Sequence, residues 1–267
     1  METKQADTAP LSALGDTKAG HSLELADLMK FAASIMIFVM HMEVFRDFGN
    51  KAYLYQEVLS RWGVPFFFVS SSYFLFRRGK NGSIAREDLI KYIKRIALLY
   101  LVWFIINLPY TVYKRLIEND ITDIMTWVNL VLKGLFSSTF FGSWYLASSV
   151  FSAWMTYMLS KKLRTWNVLQ IAFPLYVLCA LSSLYFGAMP TAFKNVLDSL
   201  YFPLNLLNGC VFFAIGKWIA ENEEKLMNRL SVPLCVTGFI AGYLVFGFEV
   251  WLGTHFSMLR TTDAGLV

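Results

Sequence analysis

The chain has 267 residues, of which 56% are hydrophobic, 17% aromatic and only 16% charged, and its net charge is +5. Soluble domains carry about a quarter charged residues, so this composition favours a membrane protein over a soluble one. The positive charge is modest and its distribution suits orientation in a bilayer, so nucleic acid is not an expected partner. The three cysteines have neither disulfide nor zinc-ligand spacing, and with three scattered histidines no metal site is predicted.

The N-terminal residues 1–22 are polar and rich in Thr, Ala and Gly, which predicts a disordered tail. The first apolar run begins about thirty residues in and is too long for the core of a signal peptide. We therefore expect no cleaved leader, and we treat residues 23–267 as one membrane-embedded domain.

Helix-length apolar runs recur along the rest of the chain, and about 20 apolar residues suffice to cross a bilayer. A shorter apolar run at 124–136 has helical spacing and is interpreted as an interfacial helix. The fold class predicted is thus an all-α polytopic bundle with one interfacial helix and seven spans, at about 31–48, 58–76, 96–113, 140–159, 168–187, 199–216 and 232–252.

The basic residues indicate how these spans are oriented. With the N-terminus in the cytoplasm, 16 of the 24 Lys and Arg residues fall on the cytoplasmic side, seven of them in the segment 77–95. The positive-inside rule then predicts a multi-pass protein of the plasma (inner) membrane with a cytoplasmic N-terminus and, after seven spans, an outer C-terminus.

The first span carries an unusual set of polar residues. Lys30 and His41 are eleven residues apart, which is three helical turns plus about 20° and about 16 Å along the axis. Asp27 and Ser34 fall on the same stripe. A histidine held in lipid often marks chemistry or an ion path. The alternative is structural: Lys30 reaches the headgroups and His41 bonds to a neighbouring helix. The spacing alone leaves both readings open.

Histidine suits proton abstraction from a hydroxyl because its pKa lies near neutrality. An acyl transfer from a thioester to an alcohol needs such a base together with a binding site for the donor. The basic segment 77–95 could bind an anionic cytoplasmic donor, although any cytoplasmic loop is basic for topological reasons. The His-x4-Asp pattern of some other acyltransferases is absent, because Arg46 follows His41 by five residues.

Several segments together resemble the acyltransferase family 3 of membrane proteins. Those proteins open with Leu-Asp-x-Leu-Arg or Lys and reach a histidine eleven residues after the basic residue, as residues 25–41 do here. Four later segments resemble further family elements in the same order. They are Gly-Val-Pro-Phe-Phe-Phe-Val-Ser at 63–70, the basic start of the third helix at 91–100, Ser-Trp-Tyr-Leu at 143–146 and Phe-Phe-Ala-Ile-Gly at 212–216.

The resemblance implies roles for particular residues. It makes His41 the functional histidine, as general base or transient acyl relay, and it places Lys30 where the family commonly has Arg. The family's Arg-x-x-Arg before the third helix matches Arg95 at its second position, while Tyr92 occupies the first. We therefore expect a donor-binding set of Lys30, Lys91, Lys94 and Arg95, supported by Asp27, Ser34 and Trp144. Trp144 either packs in the bundle or stacks on a sugar ring.

The resemblance also implies the reaction. It predicts an O-acyltransferase that moves an acyl group, with acetyl as the expected one, from cytoplasmic acyl-CoA to a hydroxyl of a cell-surface or exported carbohydrate. Acyl-CoA would be a co-substrate, with no bound cofactor, and the oligomeric state is left open. Family members usually have about ten helices, so the seven read here lead us to expect missing C-terminal helices. The alternatives are a non-enzymatic transporter or lipid-binding bundle, and an inactive fragment of the enzyme family.

Overall fold

The structure is a computed structural model of the chain. It describes residues 11–42, 45, 48–49, 55–56, 58–79, 82–119, 124, 127–128, 144–182, 185–255, 261–262 and 265–266. Apart from positions 124, 127 and 128, the predicted interfacial helix at 124–136 lies outside these described residues.

The described chain is helical, which confirms the predicted all-α class. A minimal antiparallel hairpin near its C-terminal end pairs β1 (Thr261–Thr262) with β2 (Gly265–Leu266). A short 3-10 turn (Phe186–Ala188) separates two of the helices. The α-helices are α1 (Leu11–Met42), α2 (Gly63–Phe76), α3 (Arg86–Asn119), α4 (Trp144–Ser160), α5 (Thr165–Ser182), α6 (Thr191–Leu207), α7 (Cys210–Glu221), α8 (Glu223–Arg229) and α9 (Val232–His255).

Helix α1 is longer than the first predicted span. It begins at Leu11, so residues 11–22 of the predicted tail are helical in the structure. Leu11, Ala13 and Leu14 are all good helix formers, which is consistent with that continuation. The side chains before Glu24 lie outside the described part of the chain.

Three of the described helices are long and apolar enough to cross a bilayer. They comprise Glu24–Met42 in α1, Thr165–Ser182, which is α5, and Val232–Leu252 in α9. Helices α2 and α7 have only 14 and 12 residues, below the length that crosses the hydrocarbon core without bilayer thinning. A membrane protein is therefore supported, whereas the count of seven spans stays a prediction.

The core of the molecule is formed where α2 packs against α7. Gly216 of α7 lies so close to α2 that an added Cβ would sit 2.4 Å from the carbonyl oxygen of Val69. At the same level the Ser72 hydroxyl donates a 2.5 Å hydrogen bond to the carbonyl of Phe213. Small residues that allow close backbone approach, and hydroxyls that bond across the gap, are the usual means of joining membrane helices.

Helix α4 completes this core with a row of buried hydroxyl residues. Ser148 donates to the carbonyl of Leu206 and accepts from the backbone N–H of Gly209, both at 3.0 Å. Two of the largest buried side chains, Phe68 and Phe213, lie beside the row with ring centroids 6.0 Å apart. The other buried hydroxyl residues of α4 are Ser149, Ser152 and Thr156.

Helices α1 and α9 lie at the periphery of the bundle. In each, only 6% of the residues in the apolar span are buried. Helix α1 meets α2 where Gly63 faces Ile37 and the backbone of Ala33, and an added Cβ at Gly63 would lie 2.9 Å from the Ile37 side chain. Helix α9 is attached through contacts such as the Tyr243 hydroxyl, which donates to the carbonyl of Leu59 at 2.9 Å.

Candidate functional site

The polar stripe predicted for the first span is formed on α1. The Lys30 ammonium pairs with the Asp27 carboxylate at 2.9 Å, and the Ser34 hydroxyl donates to the Lys30 carbonyl at 2.9 Å. The Asp27 side chain is 74% exposed, so this ion pair contributes little to stability. His41 lies at the last turn of the helix on the same face and is exposed.

The Lys30 side chain extends from α1 onto α2. Its ammonium lies 4.4 Å from the centre of the Phe74 ring, and its side chain is only 35% exposed. A cation over an aromatic face is attracted by about 0.5–2 kcal/mol, depending on desolvation. The charge is therefore fixed at the side of the α1–α2 contact, on the stripe that leads to His41.

The end of α1 is held in place by Gln56. Its side-chain amide donates to the carbonyl of Val39 at 2.9 Å, and its amide oxygen accepts the backbone N–H of Phe45 at 2.8 Å. Carbonyls in the last turn of a helix have no N–H partner within the helix. Gln56 supplies the missing donor for the Val39 carbonyl. Gln56 is 3% exposed, and its two bonds bracket the turn that carries His41.

The predicted donor-binding residues of α3 lie together on an exposed surface. Lys91, Lys94 and Arg95 fall in the first three turns of that helix and are all exposed. Helix α3 packs mainly against α4, whereas the α1 stripe lies beside α2. The structure thus forms two groups, with Asp27, Lys30, Ser34 and His41 on α1 and the three basic residues on α3.

Trp144 belongs to the packing of the core. It begins α4, is half-buried, and its ring lies 6.1 Å from that of Phe68. This contact matches the packing alternative that the sequence left open for Trp144. Glu249, an acid within the last predicted span, accepts a hydrogen bond from the Tyr185 hydroxyl.

Two charged clusters at the ends of α2 and α7 were not predicted. In one, Arg77 binds both oxygens of the Glu223 carboxylate, at 2.9 and 3.0 Å, and Tyr73 donates to it at 3.0 Å. Bidentate Arg–carboxylate pairs are among the stronger ion pairs. These contacts of Arg77 and Tyr73 with Glu223 connect the end of α2 to the start of α8.

In the second cluster, Lys217 of α7 pairs with Glu221, which also accepts a 2.7 Å bond from Thr165. Lys217 is 4% exposed and its ammonium lies 5.3 Å from the centre of the Phe76 ring. Gly82 has a positive φ of 69°, and an added Cβ there would lie 2.4 Å from Glu221 Cγ. The sequence did contain a signal for this cluster, because Lys217 directly follows the apolar Phe-Phe-Ala-Ile-Gly segment. A charge next to an apolar run is expected to have a partner.

Within the described residues, no group of three or more His, Cys, Asp or Glu side chains is arranged to hold a metal ion.

Comparison with known proteins supports the family that the sequence motifs resemble. A family model described as an acyltransferase domain (acyltransferase 3) matches residues 25–264. A curated relative from Enterococcus faecalis, named an amino-acid racemase, is 27% identical over 211 residues. That match covers 76% of this chain but 29% of the relative, so the chain spans less than a third of that protein's length. No solved structure matches. Since the family model covers nearly the whole chain, the protein belongs to the acyltransferase 3 family of membrane proteins.

Proposed function

We propose that the protein is an integral membrane O-acyltransferase that uses acyl-CoA as its donor and a carbohydrate hydroxyl as its acceptor. The observation that carries the proposal is the stripe on α1, where His41 shares a helix face with the Lys30–Asp27 pair in a chain of this family. Neutral imidazole near the water boundary is able to accept a proton from an acceptor hydroxyl.

The reaction assigned to His41 is a single acyl exchange. His41 takes the proton of the acceptor hydroxyl as its oxygen bonds to the thioester carbon. The carbon–sulfur bond then breaks, and the departing thiolate of coenzyme A receives that proton. In the relay version, the imidazole nitrogen itself carries the acyl group between donor and acceptor. Acetyl is the acyl group we propose, and acyl-CoA is a co-substrate with no resident cofactor.

The donor binds, in this proposal, from the cytoplasmic side. The exposed basic face of α3, formed by Lys91, Lys94 and Arg95, is suited to the phosphates of coenzyme A. The charge distribution supports a plasma-membrane orientation with the N-terminus inside. Reporter fusions after Arg86 and after Val267 should therefore lie on opposite sides of the membrane. The same side for both would reject the orientation.

The test uses membranes containing the full chain, radiolabelled acetyl-CoA and total cell glycan as acceptor. We expect label in the glycan with the unchanged protein and background label with His41→Ala, at equal protein in the membrane. The matched control is His255→Ala, since His255 lies on α9 in a ring stack with Trp251, at 5.5 Å. Full activity of His41→Ala, or equal loss in His255→Ala, would reject His41 as the reacting group.

A second candidate function comes from the curated relative. A protein named an amino-acid racemase shares this region within a chain more than three times longer than the matched part. A membrane region joined to such an enzyme could transport or bind the enzyme's substrate. In that case the stripe from Lys30 to His41 would line a solute path. Uptake of radiolabelled amino acids into vesicles containing the full chain, without acetyl-CoA, tests this alternative. Transport without any transfer of label from acetyl-CoA would favour it.

A further inference from the structure

The apolar span of α9 contains a single charged residue, Glu249, three residues before the end of that span at Leu252. The Tyr185 hydroxyl, from the start of the 3-10 turn that follows α5, donates a hydrogen bond to its carboxylate. Glu249 is nevertheless exposed, whereas Tyr185 is half-buried. Charged residues inside membrane spans are costly and usually mark a functional site. Glu249 thus presents a carboxylate that is held in one position and that a ligand can reach without entering a cavity.

Two more polar side chains belong to the same group. Tyr176 of α5 interacts electrostatically with both Glu249 and Arg61, which lies two residues before α2. The Tyr176 ring is fixed by an edge-to-face contact with Phe212 of α7, with ring centroids 5.3 Å apart. Tyr176 and Arg61 are both half-buried. Three parts of the fold thus contribute to a group that we name the Glu249 cluster, formed by Arg61, Tyr176, Tyr185 and Glu249.

The Glu249 cluster lies at the same end of the bundle as His41. The segment before α2 joins the two places, because Gln56 holds the last turn of α1 and the Leu59 carbonyl accepts a hydrogen bond from Tyr243 of α9. Glu249 follows Tyr243 by six residues, which is about 9 Å along the helix axis. In the proposed orientation this end faces outward, which is the side of an exported or cell-surface acceptor.

The composition of the Glu249 cluster restricts the ligand that it would bind. The cluster contains one carboxylate, one guanidinium and two phenols, so its two formal charges cancel. A ligand with a net charge would be attracted by one of the charged groups and repelled by the other. An uncharged polyol meets no such conflict, because each hydroxyl is able to donate to the carboxylate or to accept from the guanidinium or a phenol. The cluster is therefore suited to the hydroxyls of a neutral sugar.

We propose that the Glu249 cluster binds the acceptor, with the Glu249 carboxylate accepting hydrogen bonds from sugar hydroxyls. Tyr185 is a positioning residue that acts through Glu249, because its hydroxyl holds that carboxylate. This inference rests on the proposed function for its choice of ligand. Neither residue takes part in the transfer of the acyl group. Their replacement should therefore change how strongly the acceptor binds and not how fast the bound acceptor reacts.

The test measures acetyl transfer in membranes containing the full chain, at varied concentrations of purified cell-glycan fragments and saturating radiolabelled acetyl-CoA. Glu249→Gln keeps the shape of the side chain and removes its charge. We expect the KM for glycan to rise about 5- to 10-fold, as for loss of a charge-assisted hydrogen bond, with kcat and the KM for acetyl-CoA unchanged. Tyr185→Phe leaves the carboxylate in place, so it should raise the KM for glycan only about 2- to 3-fold.

Tyr243→Phe is the matched control, because it also removes a tyrosine hydrogen bond that attaches α9 to the bundle. That hydroxyl bonds to a backbone carbonyl outside the Glu249 cluster. Its loss should lower the thermal midpoint of the purified protein and leave the KM for glycan unchanged. The control therefore separates loosening of α9 from loss of a contact with the acceptor.

The outcomes distinguish the inference from the proposed function. An unchanged KM for glycan in Glu249→Gln, or an equal rise in Tyr243→Phe, would overturn the inference while leaving the proposed function intact. Inhibition of transfer by a free amino acid that disappears in Glu249→Gln would likewise reject a neutral sugar as the ligand. If the unchanged protein transfers no label to any glycan, the proposed function fails, and the inference fails with it.

Discussion

The core around α2, α4 and α7 and the peripheral helix α1 are built in opposite ways. In the core, glycines and hydroxyls bring backbones together, as at Gly216 and Ser72. Helix α1 has 6% of its apolar span buried and is attached at few points, among them Gly63, Phe74 and Gln56. The candidate reacting group lies on the weakly attached helix. Stability and activity should therefore respond to different substitutions.

The largest expected effect is damage to the core. Gly216→Val would place a branched side chain where even a Cβ would lie 2.4 Å from the Val69 carbonyl oxygen. Overpacking of this kind costs several kcal/mol, so we expect little folded protein in membranes. Gly238→Val on α9 is the control, because nothing lies within 4 Å of an added Cβ there. Equal amounts of the two variants, measured by size-exclusion chromatography in detergent, would contradict the α2–α7 packing.

A smaller loss of stability with a large loss of activity is expected for Gln56→Leu. This variant leaves the Val39 carbonyl and the Phe45 N–H without their partner and frees the turn that carries His41. We expect acetyl transfer to fall at least tenfold through kcat, with a stability loss of about 1–3 kcal/mol. Gln170→Leu on the exposed side of α5 should change neither quantity. If Gln56→Leu lowers only stability, Gln56 does not position His41.

Lys30 tests how the charge on α1 is used. Lys30→Arg keeps the cation near Asp27 and Phe74, so we expect substantial activity to remain. Lys30→Met removes the charge but keeps a flexible apolar side chain, and should weaken coenzyme A binding and transfer. The readouts are donor Kd and the transfer rate. Unchanged donor affinity in Lys30→Met would leave Lys30 with only a structural role beside Phe74.

The smallest effect concerns the Arg77–Glu223 ion pair, which joins α2 to α8. Glu223→Gln weakens the bidentate contact with Arg77, whose side chain is 38% exposed. Solvent screens such a pair, so the loss should be about 1 kcal/mol or less and should shrink at high salt. Glu224→Gln, at an exposed neighbouring position, is the control. A loss in thermal stability that is equal for both variants would show that the Arg77–Glu223 pair contributes nothing specific.

Much of the class and part of the site could be predicted from the sequence. Composition and apolar runs predicted a helical membrane protein, because those signals are local. The order of five short segments predicted the family, which the match over residues 25–264 confirms. The spacing of Asp27, Lys30 and Ser34 predicted contacts within one helix, and the structure contains them.

The parts that could not be predicted depend on residues far apart in the chain. Gln56 fixes the end of α1 from another segment, and Arg77 meets Glu223 across 146 positions. Helical periodicity carries no information about such pairs. Short helices were a further difficulty. An apolar run shows where a span is favourable but not where a helix breaks, and turns at 61–62 and 208–209 interrupt the runs that continue into α2 and α7.

The pairing of α2 with α7 has a consequence for biosynthesis. Ser72 and its acceptor Phe213 are 141 residues apart, so α2 leaves the ribosome well before its main partner. At ~5–20 residues per second the delay is about 7–28 s. During that interval the small and polar face of α2 lies in the bilayer without the acceptor that it later uses, since membrane helices insert before they associate. Chains interrupted before residue 210 would carry His41, the proposed reacting histidine, into the membrane without a closed core to support it.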